Sequence, residues 1–201
     1  MMMWDIVLPK DNEEEFFLMA QKLGYKGLIF LVDKLPNKNN EQTKKISEKL
    51  NISYTYALTQ KTGKTFSIIK TTANVRHTIE KIRPNIIYGV EYHTEKDFMK
   101  QRNSQLNHII AKIMKNRHVA YGVPVSKLFE ENILKILPRI KQNIELCTKY
   151  QAKIVAASFA EFPHQMNAPL DIIGCLVETF GMNSGDAKKA VDNVENLVKN
   201  M

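Results

Sequence analysis

Short apolar runs alternate along the chain with longer segments in which apolar residues recur every three or four positions. The short runs are rich in Ile and Val, which predicts strands buried on both faces of a parallel sheet. The longer segments have the spacing of amphipathic helices. The seven predicted strands span residues 4–8, 27–32, 52–58, 66–70, 86–91, 119–123 and 154–158.

Helix boundaries are predicted from capping residues and from proline. Asp11, with Glu14 three residues later, has the pattern of a capping box that starts the first helix, and Gly24 ends it. Pro138 lies inside a long helical pattern and predicts a kink or a break into two helices. The last predicted helix runs from about Ser184 to Lys199.

Alternating strands and helices leave two architectures open, a doubly wound sheet and a closed barrel. Because no Gly-rich nucleotide loop follows any predicted strand, a dinucleotide-binding fold has little support. Seven strands in 201 residues match a single-domain α/β fold, a slightly incomplete TIM-like β/α barrel over residues 1–201.

The charge balance points to a polyanionic partner. The chain has 29 Lys and Arg against 21 Asp and Glu, a net charge of +8. This surplus favours RNA, DNA or an anionic membrane, although a basic protein without such a partner remains an alternative. The sequence shows no bilayer-length apolar stretch, no signal peptide and no metal-ligand spacing at Cys147 and Cys175, so we expect a cytoplasmic protein.

One polar segment is the strongest candidate for RNA contact. It comprises Arg102, Asn103, Ser104 and Asn107, follows the strand 86–91 and opens a helix. Loops after the strands of a β/α barrel form its functional face. Arg grips phosphates, and Asn bonds a phosphate, a sugar hydroxyl or a base edge. The alternative is that Asn103 or Ser104 is only the N-cap and that Arg102 is solvated.

Other cations recur near predicted loops and helix starts, where together they could bind phosphates without reading sequence. These additional RNA-binding candidates are Lys34, Lys61, Lys64, Arg76, Lys127 and Arg139. Each alone is equally compatible with a solvated side chain. Lys112, Lys115, Asn116 and Arg117 fall opposite an apolar helix stripe, where solvation is the default.

Catalytic chemistry has weak support in the sequence. A metal hydrolase would need Asp5, Glu91, His93, Asp97, Glu161 and His164 to converge on one end of the barrel, but no pair has a recognised ligand spacing. The chain contains no Gly-x-Ser-x-Gly elbow, and neither cysteine lies in an activating context. We therefore predict no catalytic residue and no metal site.

The segment Arg102-Asn103-Ser104-x-Leu106-Asn107 resembles the Arg-Asn-Ser-Gly-Leu-Asn motif of the ribonuclease P protein component 3 family. That family includes archaeal proteins and the thirty-kilodalton subunit of eukaryotic ribonuclease P. Further segments resemble the family in the same order along nearly the whole chain. They are residues 23–27, 139–144 with Tyr150, Ser158 with Ala160 and Pro163, 168–171, and Gly181-Met182.

Three positions depart from the family pattern. Gln105 and Phe159 stand where the family usually has Gly, and Asn167 stands where Arg is common. The Gln105 change indicates tolerance at a helix start. The Asn167 change argues against a phosphate contact at position 167.

The resemblance implies a barrel similar to the metal-dependent polymerase-and-histidinol-phosphatase proteins, without most of their metal ligands. It implies an RNA-binding subunit of ribonuclease P, which processes the 5′ leader of precursor tRNA through a catalytic RNA and Mg²⁺. Its partners would be that RNA, protein component 2 and other subunits of the ribonucleoprotein, and the chain would hold no cofactor. Two alternatives are a metal-dependent phosphoesterase with a degraded site and an interaction module whose charge only aids solubility.

Overall fold

The computed structural model describes residues 3–36, 41–71, 73–92, 96–97, 102–129 and 133–199. All seven predicted apolar runs form strands in these residues. The strand predicted at 86–91 ends early, because residues 90–92 form a 3₁₀ turn. The strands are β1 (Trp4–Val7), β2 (Gly27–Val32), β3 (Ser53–Leu58), β4 (Ile68–Lys70), β5 (Ile86–Tyr88), β6 (Ala120–Pro124) and β7 (Ile154–Ala157).

Every pairing between these strands is parallel, and neighbours follow the order of the chain. The strands β1 to β3 form one sheet, and β4 to β7 form a second. Two isolated parallel bridges join the sheets, from Val7 to Ala160 and from Leu58 to Ser67. The parallel pairing confirms the predicted α/β class. The two bridges, one at each junction between the sheets, make the arrangement barrel-like.

Most crossovers between successive strands contain a helix, as parallel pairing requires. The connection from β3 to β4 is an exception, since residues 59–67 form a loop in the described chain. The helices are α1 (Glu13–Leu23), α2 (Glu41–Leu50), α3 (Val75–His77, continued by a π turn to Ile82), α4 (His108–Arg117), α5 (Ile133–Tyr150), α6 (Pro169–Phe180) and α7 (Ser184–Lys199).

Two helix predictions need correction. The first helix has Asn12 rather than Asp11 at its N-cap, without a side-chain capping bond, so the predicted capping box is wrong. The Asn12 Oδ1 atom instead accepts from the backbone N–H of Lys10 at 2.8 Å. The long helix α5 is continuous across Pro138, so of the two predicted outcomes, a kink or a break, the break does not occur.

Alternate residues of the strands divide between two environments. One apolar cluster contains residues from all seven strands, including Ile6, Ile29 and Ile86, together with Phe159. The intervening residues, such as Phe30 and Tyr121, pack against helices in two other clusters. The helix α7 adds Val194 and Leu197 to the first cluster and packs on β7 and β1. This alternation follows from the two-residue period of a strand.

The parallel strands place functional loops together, because the carboxyl ends of all seven point the same way. We call the surface formed by the segments after these ends the carboxyl edge, and the opposite surface the amino edge. No described helix is both long and apolar enough to cross a bilayer. Cys147 and Cys175 are free thiols, the first buried and the second half-buried.

Candidate nucleic-acid interface

The segment 102–107, after β5, is held in place by α5. Gln142 on that helix accepts from the backbone N–H of Arg102 at 3.0 Å and donates to the Arg102 carbonyl at 3.0 Å. Its amide also donates to the Ser104 hydroxyl at 2.9 Å. One glutamine side chain therefore fixes both the backbone and a hydroxyl of the segment.

Asp97 is the second anchor of this segment. It accepts from the backbone N–H of Asn103 at 2.9 Å and pairs with Arg139 at 2.9 Å and Arg102 at 3.2 Å. Partial burial alone would raise the pKa of Asp97, but the Asn103 and Arg139 contacts hold it below its usual range. A carboxylate with three donors is kept ionised and rigid.

Arg139, a candidate for RNA contact, is completely buried. Its guanidinium bonds Asp97 and donates to the Glu91 carbonyl at 3.0 Å. In this position it cannot reach a phosphate in solvent. It supports the segment from behind.

The structure separates the four polar residues of the segment into two pairs. Asn103 and Ser104 are buried, whereas Arg102 keeps 54% of its side chain exposed and Asn107 is exposed. Asn107 is the N-cap of α4, and its Oδ1 atom accepts from the N–H groups of Ile109 and Ile110 at 3.0 Å. The alternative that Asn103 or Ser104 is the N-cap is therefore wrong.

A buried polar cluster lies behind the segment. Tyr121 donates to Glu91 Oε2 at 3.1 Å, and Asn143 Nδ2 contacts the Tyr121 hydroxyl at 3.4 Å. Glu91 Oε1 has no hydrogen-bond partner among the described residues. Burial raises the pKa of Glu91 to about 7, despite the opposing effects of hydrogen bonds and of Lys70. Glu91 is therefore easily protonated near neutral pH.

A second group of charges joins the segments that follow β1, β6 and β7. Glu161 pairs with Lys127 at 2.9 Å and with Lys10 at 3.2 Å. The hydrogen bond from Lys127, more than any other contact, lowers the pKa of Glu161. Lys10 is largely exposed, while Lys127 retains only 19% of its side-chain exposure. Of these two cations, Lys10 is the one positioned to meet a ligand.

The remaining candidates do not form one continuous patch. Lys34 is exposed just after β2, and Arg76 is exposed in α3 after β4, where it pairs with Glu80 at 3.0 Å. Lys61 donates to the carbonyl of Arg83, which precedes β5. That contact draws the loop 59–65, with the exposed Lys64, toward the start of β5 and away from the segment 102–107.

Asp5 and Glu161, two of the acidic residues that could serve a metal site, already bond other groups of the protein. Asp5 accepts from the backbone N–H groups of Ser158 at 2.7 Å and Ile6 at 2.9 Å, and burial raises its pKa to about 6. Glu161 forms ion pairs with Lys10 and Lys127. No group of three His, Cys, Asp or Glu residues that could hold a metal occurs in the described chain. His93 lies outside the described residues.

Sequence reasoning missed the residues that organise this region. The sequence suggests Asp97 only as a metal ligand, and Gln142 only as part of a basic helix. The spacing of Arg139, Asn143 and Cys147 is a usable signal, because these residues share the buried side of α5 with its isoleucines. A polar stripe on a core-facing helix side indicates a buried network.

Two family departures coincide with unusual backbone. Gln105 has φ of 62° and Phe159 has φ of 52°, in the left-handed region where Gly is favoured. The Phe159 ring centroid lies 4.7 Å from that of Tyr88, in the apolar cluster that contains residues of all seven strands. Asn167 uses its backbone, donating to the Ser158 hydroxyl at 3.0 Å and accepting from Tyr25 at 2.7 Å.

These observations define a class of protein. The chain is a basic, barrel-like β/α protein whose carboxyl edge carries cations and a rigid polar segment. Its exposed cations include Lys10, Lys34, Arg76 and Arg102.

Comparison with known proteins finds similarity to protein subunits of ribonuclease P. A curated relative, ribonuclease P protein component 3 of Methanosarcina acetivorans, is 28% identical over 96 residues. That match spans 46% of this chain and 40% of the relative. A chain in the cryo-EM structure of archaeal ribonuclease P with mature tRNA matches 98% of this chain and 90% of its own length, with a TM-score of 0.68 and 20% identity. No family model matches the sequence.

Proposed function

We propose that the chain is an RNA-binding protein subunit of ribonuclease P, supporting the RNA-catalysed removal of the 5′ leader from precursor tRNA. One observation carries this proposal: nearly the whole chain has the fold of a chain in an archaeal ribonuclease P complex. The matching segment of the curated relative and the surplus of positive charge both support it.

The physical role would be neutralisation of RNA phosphates at the carboxyl edge. Lys34, Arg76 and Arg102 are exposed there, and each can replace condensed counterions. Arg102 is the most restrained of the three, because Asp97 holds one guanidinium nitrogen and Gln142 holds its backbone. A pre-oriented guanidinium loses less freedom on gripping a phosphate than a free lysine does.

The buried residues Asn103, Ser104 and Arg139 would act by positioning, because they hold the segment 102–107 in shape. The exposed Asn107 starts the helix that follows. Substituting these residues should therefore lower the free energy of unfolding, and should weaken RNA binding only through the loss of the segment's shape.

We further propose that residues 1–201 form one seven-stranded barrel closed through the Val7–Ala160 and Leu58–Ser67 bridges. In this proposal the chain supplies no catalytic residue and holds no metal, and Mg²⁺ is bound by the RNA. Protein component 2, other subunits and precursor tRNA would be its partners in a cytoplasmic complex. A smaller magnesium requirement would follow, because protein cations would share the neutralisation of phosphate.

Reconstitution tests the proposal. Precursor tRNA cleavage by ribonuclease P RNA and the remaining subunits is measured across a Mg²⁺ series, with and without this chain. We expect the chain to lower the Mg²⁺ concentration needed for half-maximal cleavage. Cleavage indifferent to the chain at every Mg²⁺ concentration would refute the proposal.

A matched pair of variants locates the surface. The triple variant Lys34→Ala, Arg76→Ala, Arg102→Ala should raise the Mg²⁺ requirement. The slope of log RNA affinity against log salt concentration should also become shallower, by about 0.7–0.9 for every phosphate that is no longer neutralised. The control, Lys22→Ala, Lys45→Ala, Lys49→Ala, removes the same charge from exposed positions of α1 and α2. If the two variants had the same Mg²⁺ requirement and the same salt dependence of RNA binding, the carboxyl edge would not be the interface.

A further inference from the structure

A groove lies between the carboxyl ends of α4 and α5, at the amino edge. One part, of about 340 Å³, is lined by Lys112, Lys115, Asn116, Lys149, Tyr150 and Gln151. A second part, of about 580 Å³, shares three of these residues and extends to His118 and Lys153. We call the two parts together the α4–α5 groove.

All of the charged side chains that line this groove, apart from the histidine, are positive. It contains four lysines, Lys112, Lys115, Lys149 and Lys153, and no carboxylate. None of the four takes part in the ion pairs found in the described chain, whereas Lys10, Lys127 and Arg102 at the carboxyl edge all have carboxylate partners. Among the described residues, Lys115 donates to a neutral group, Gln151 Oε1, at 2.7 Å.

Helix electrostatics accounts for part of this cluster. Lys115 and Lys149 lie in the last turns of their helices, where cations stabilise the negative end of the dipole. Lys112 lies before the last turn of α4, and Lys153 lies beyond α5. Like charges gathered without carboxylates repel one another, and a bound polyanion relieves that repulsion.

An aromatic ring stands among these cations. The Nζ atoms of Lys112 and Lys149 lie 5.5 Å and 5.8 Å from the centroid of the half-buried Tyr150 ring. The His108 ring lies 6.4 Å from it. A basic groove with an aromatic ring has the two elements that bind single-stranded nucleic acid, phosphate neutralisation and base stacking.

We propose that the α4–α5 groove binds a single-stranded RNA segment, with its phosphates on the four lysines and one base stacked on Tyr150. This inference rests on the proposed function, which makes RNA the available polyanion. The groove lies at the amino edge, opposite the segment 102–107. The chain would therefore contact RNA at two separate surfaces.

The test measures binding of the full-length protein to a labelled single-stranded RNA twelve-mer across a salt series. Converting the four groove lysines to Gln should lower the slope of log affinity against log salt by roughly 2–3, at about 0.7 per phosphate contact. The control converts Lys22, Lys26, Lys45 and Lys49, exposed on or near α1 and α2, to Gln. We expect the control to keep most of the wild-type slope.

Variants of Tyr150 separate stacking from charge. Tyr150→Leu should weaken binding roughly 5- to 150-fold without changing the salt slope, and Tyr150→Phe should bind like wild type. Wild-type affinity in Tyr150→Leu, or equal losses in the groove and control variants, would overturn the proposal. Polyglutamate that competes as well as RNA would instead assign the groove to an acidic protein.

The two proposals fail in distinguishable ways. If the wild-type chain stimulates precursor tRNA cleavage but the groove variants bind RNA as their control does, only the groove assignment fails. If the wild-type chain does not affect cleavage yet the groove binds RNA through Tyr150, only the ribonuclease P role fails.

Discussion

Replacing Glu91 with Gln should make the folded protein more stable at neutral and alkaline pH. Glu91 is fully buried and receives a hydrogen bond from Tyr121, and in the part of the chain that the structure describes its other oxygen has no partner. Burial raises its pKa from 4.5 to about 7. Each tenfold change in acidity corresponds to about 1.4 kcal/mol, so ionising this buried carboxyl costs about 3 kcal/mol.

The sign of the pH dependence follows from proton binding. Between pH 4.5 and 7 the folded state keeps the Glu91 proton while the unfolded state has lost it. The free energy of unfolding therefore falls as pH rises, by up to about 1.4 kcal/mol per pH unit, and levels off above pH 7. Asp5 adds a loss of the same sign, which the Glu91→Gln comparison cancels.

The assay is urea unfolding at intervals from pH 5 to pH 8, followed by the fluorescence of Trp4, which is buried and the sole tryptophan. We expect Glu91→Gln to match wild type near pH 5 and to exceed it by about 2–3 kcal/mol at pH 8. Glu178→Gln, at an exposed position of α6, controls for the chemical change. A difference between Glu91→Gln and wild type that stays constant across this range would refute the reasoning.

Three further substitutions test the segment 102–107 and its anchors. Asn107→Ala should cost about 1 kcal/mol of stability in urea unfolding, since α4 loses its cap, while Asn116→Ala on the exposed side of the same helix should cost less than half of that. Gln105→Gly should raise the thermal midpoint by relieving roughly 1 kcal/mol of left-handed strain, and Gln105→Ala should not. Arg139→Met should cost about 1–3 kcal/mol, because Asp97 loses one charged hydrogen bond while keeping its contacts with Asn103 and Arg102, and adding Asp97→Asn should recover part of this loss. Additive losses in that double variant would argue against the ion pair as the cause.

The strands and most helix ends were predictable because local chemistry decides them. A short Ile- and Val-rich run buries itself on both faces of a sheet, and Gly24 ends α1 because its φ of 83° suits a residue without a side chain. The sequence alone could not select the cap of α4, because three polar residues in six, Asn103, Ser104 and Asn107, can each fill that role. Burial of Asn103 and Ser104 decides the choice, and burial depends on distant parts of the chain.

The anchors of the candidate site could not be paired from the sequence. Arg139 and Asp97 are 42 positions apart, and Gln142 meets Arg102 across 40. Nothing local selects these partners among the many charges of the chain. The lysines of α4 were correctly placed opposite its apolar stripe, but their meeting with Lys149 and Lys153 needed the packing of two helices.

The first strand has a consequence for how the protein is made. On one side β1 pairs with β2, but on the other it meets the segment after β7, and Asp5 bonds Ser158 across 153 positions. At a synthesis rate of about 5–20 residues per second, that neighbour emerges from the ribosome roughly 8–30 s after β1. Until then β1 has an open hydrogen-bonding edge of the kind that recruits other chains. We therefore expect the nascent protein to depend on early shielding by chaperones and to complete its core only after β7 and the segment that follows it have been synthesised.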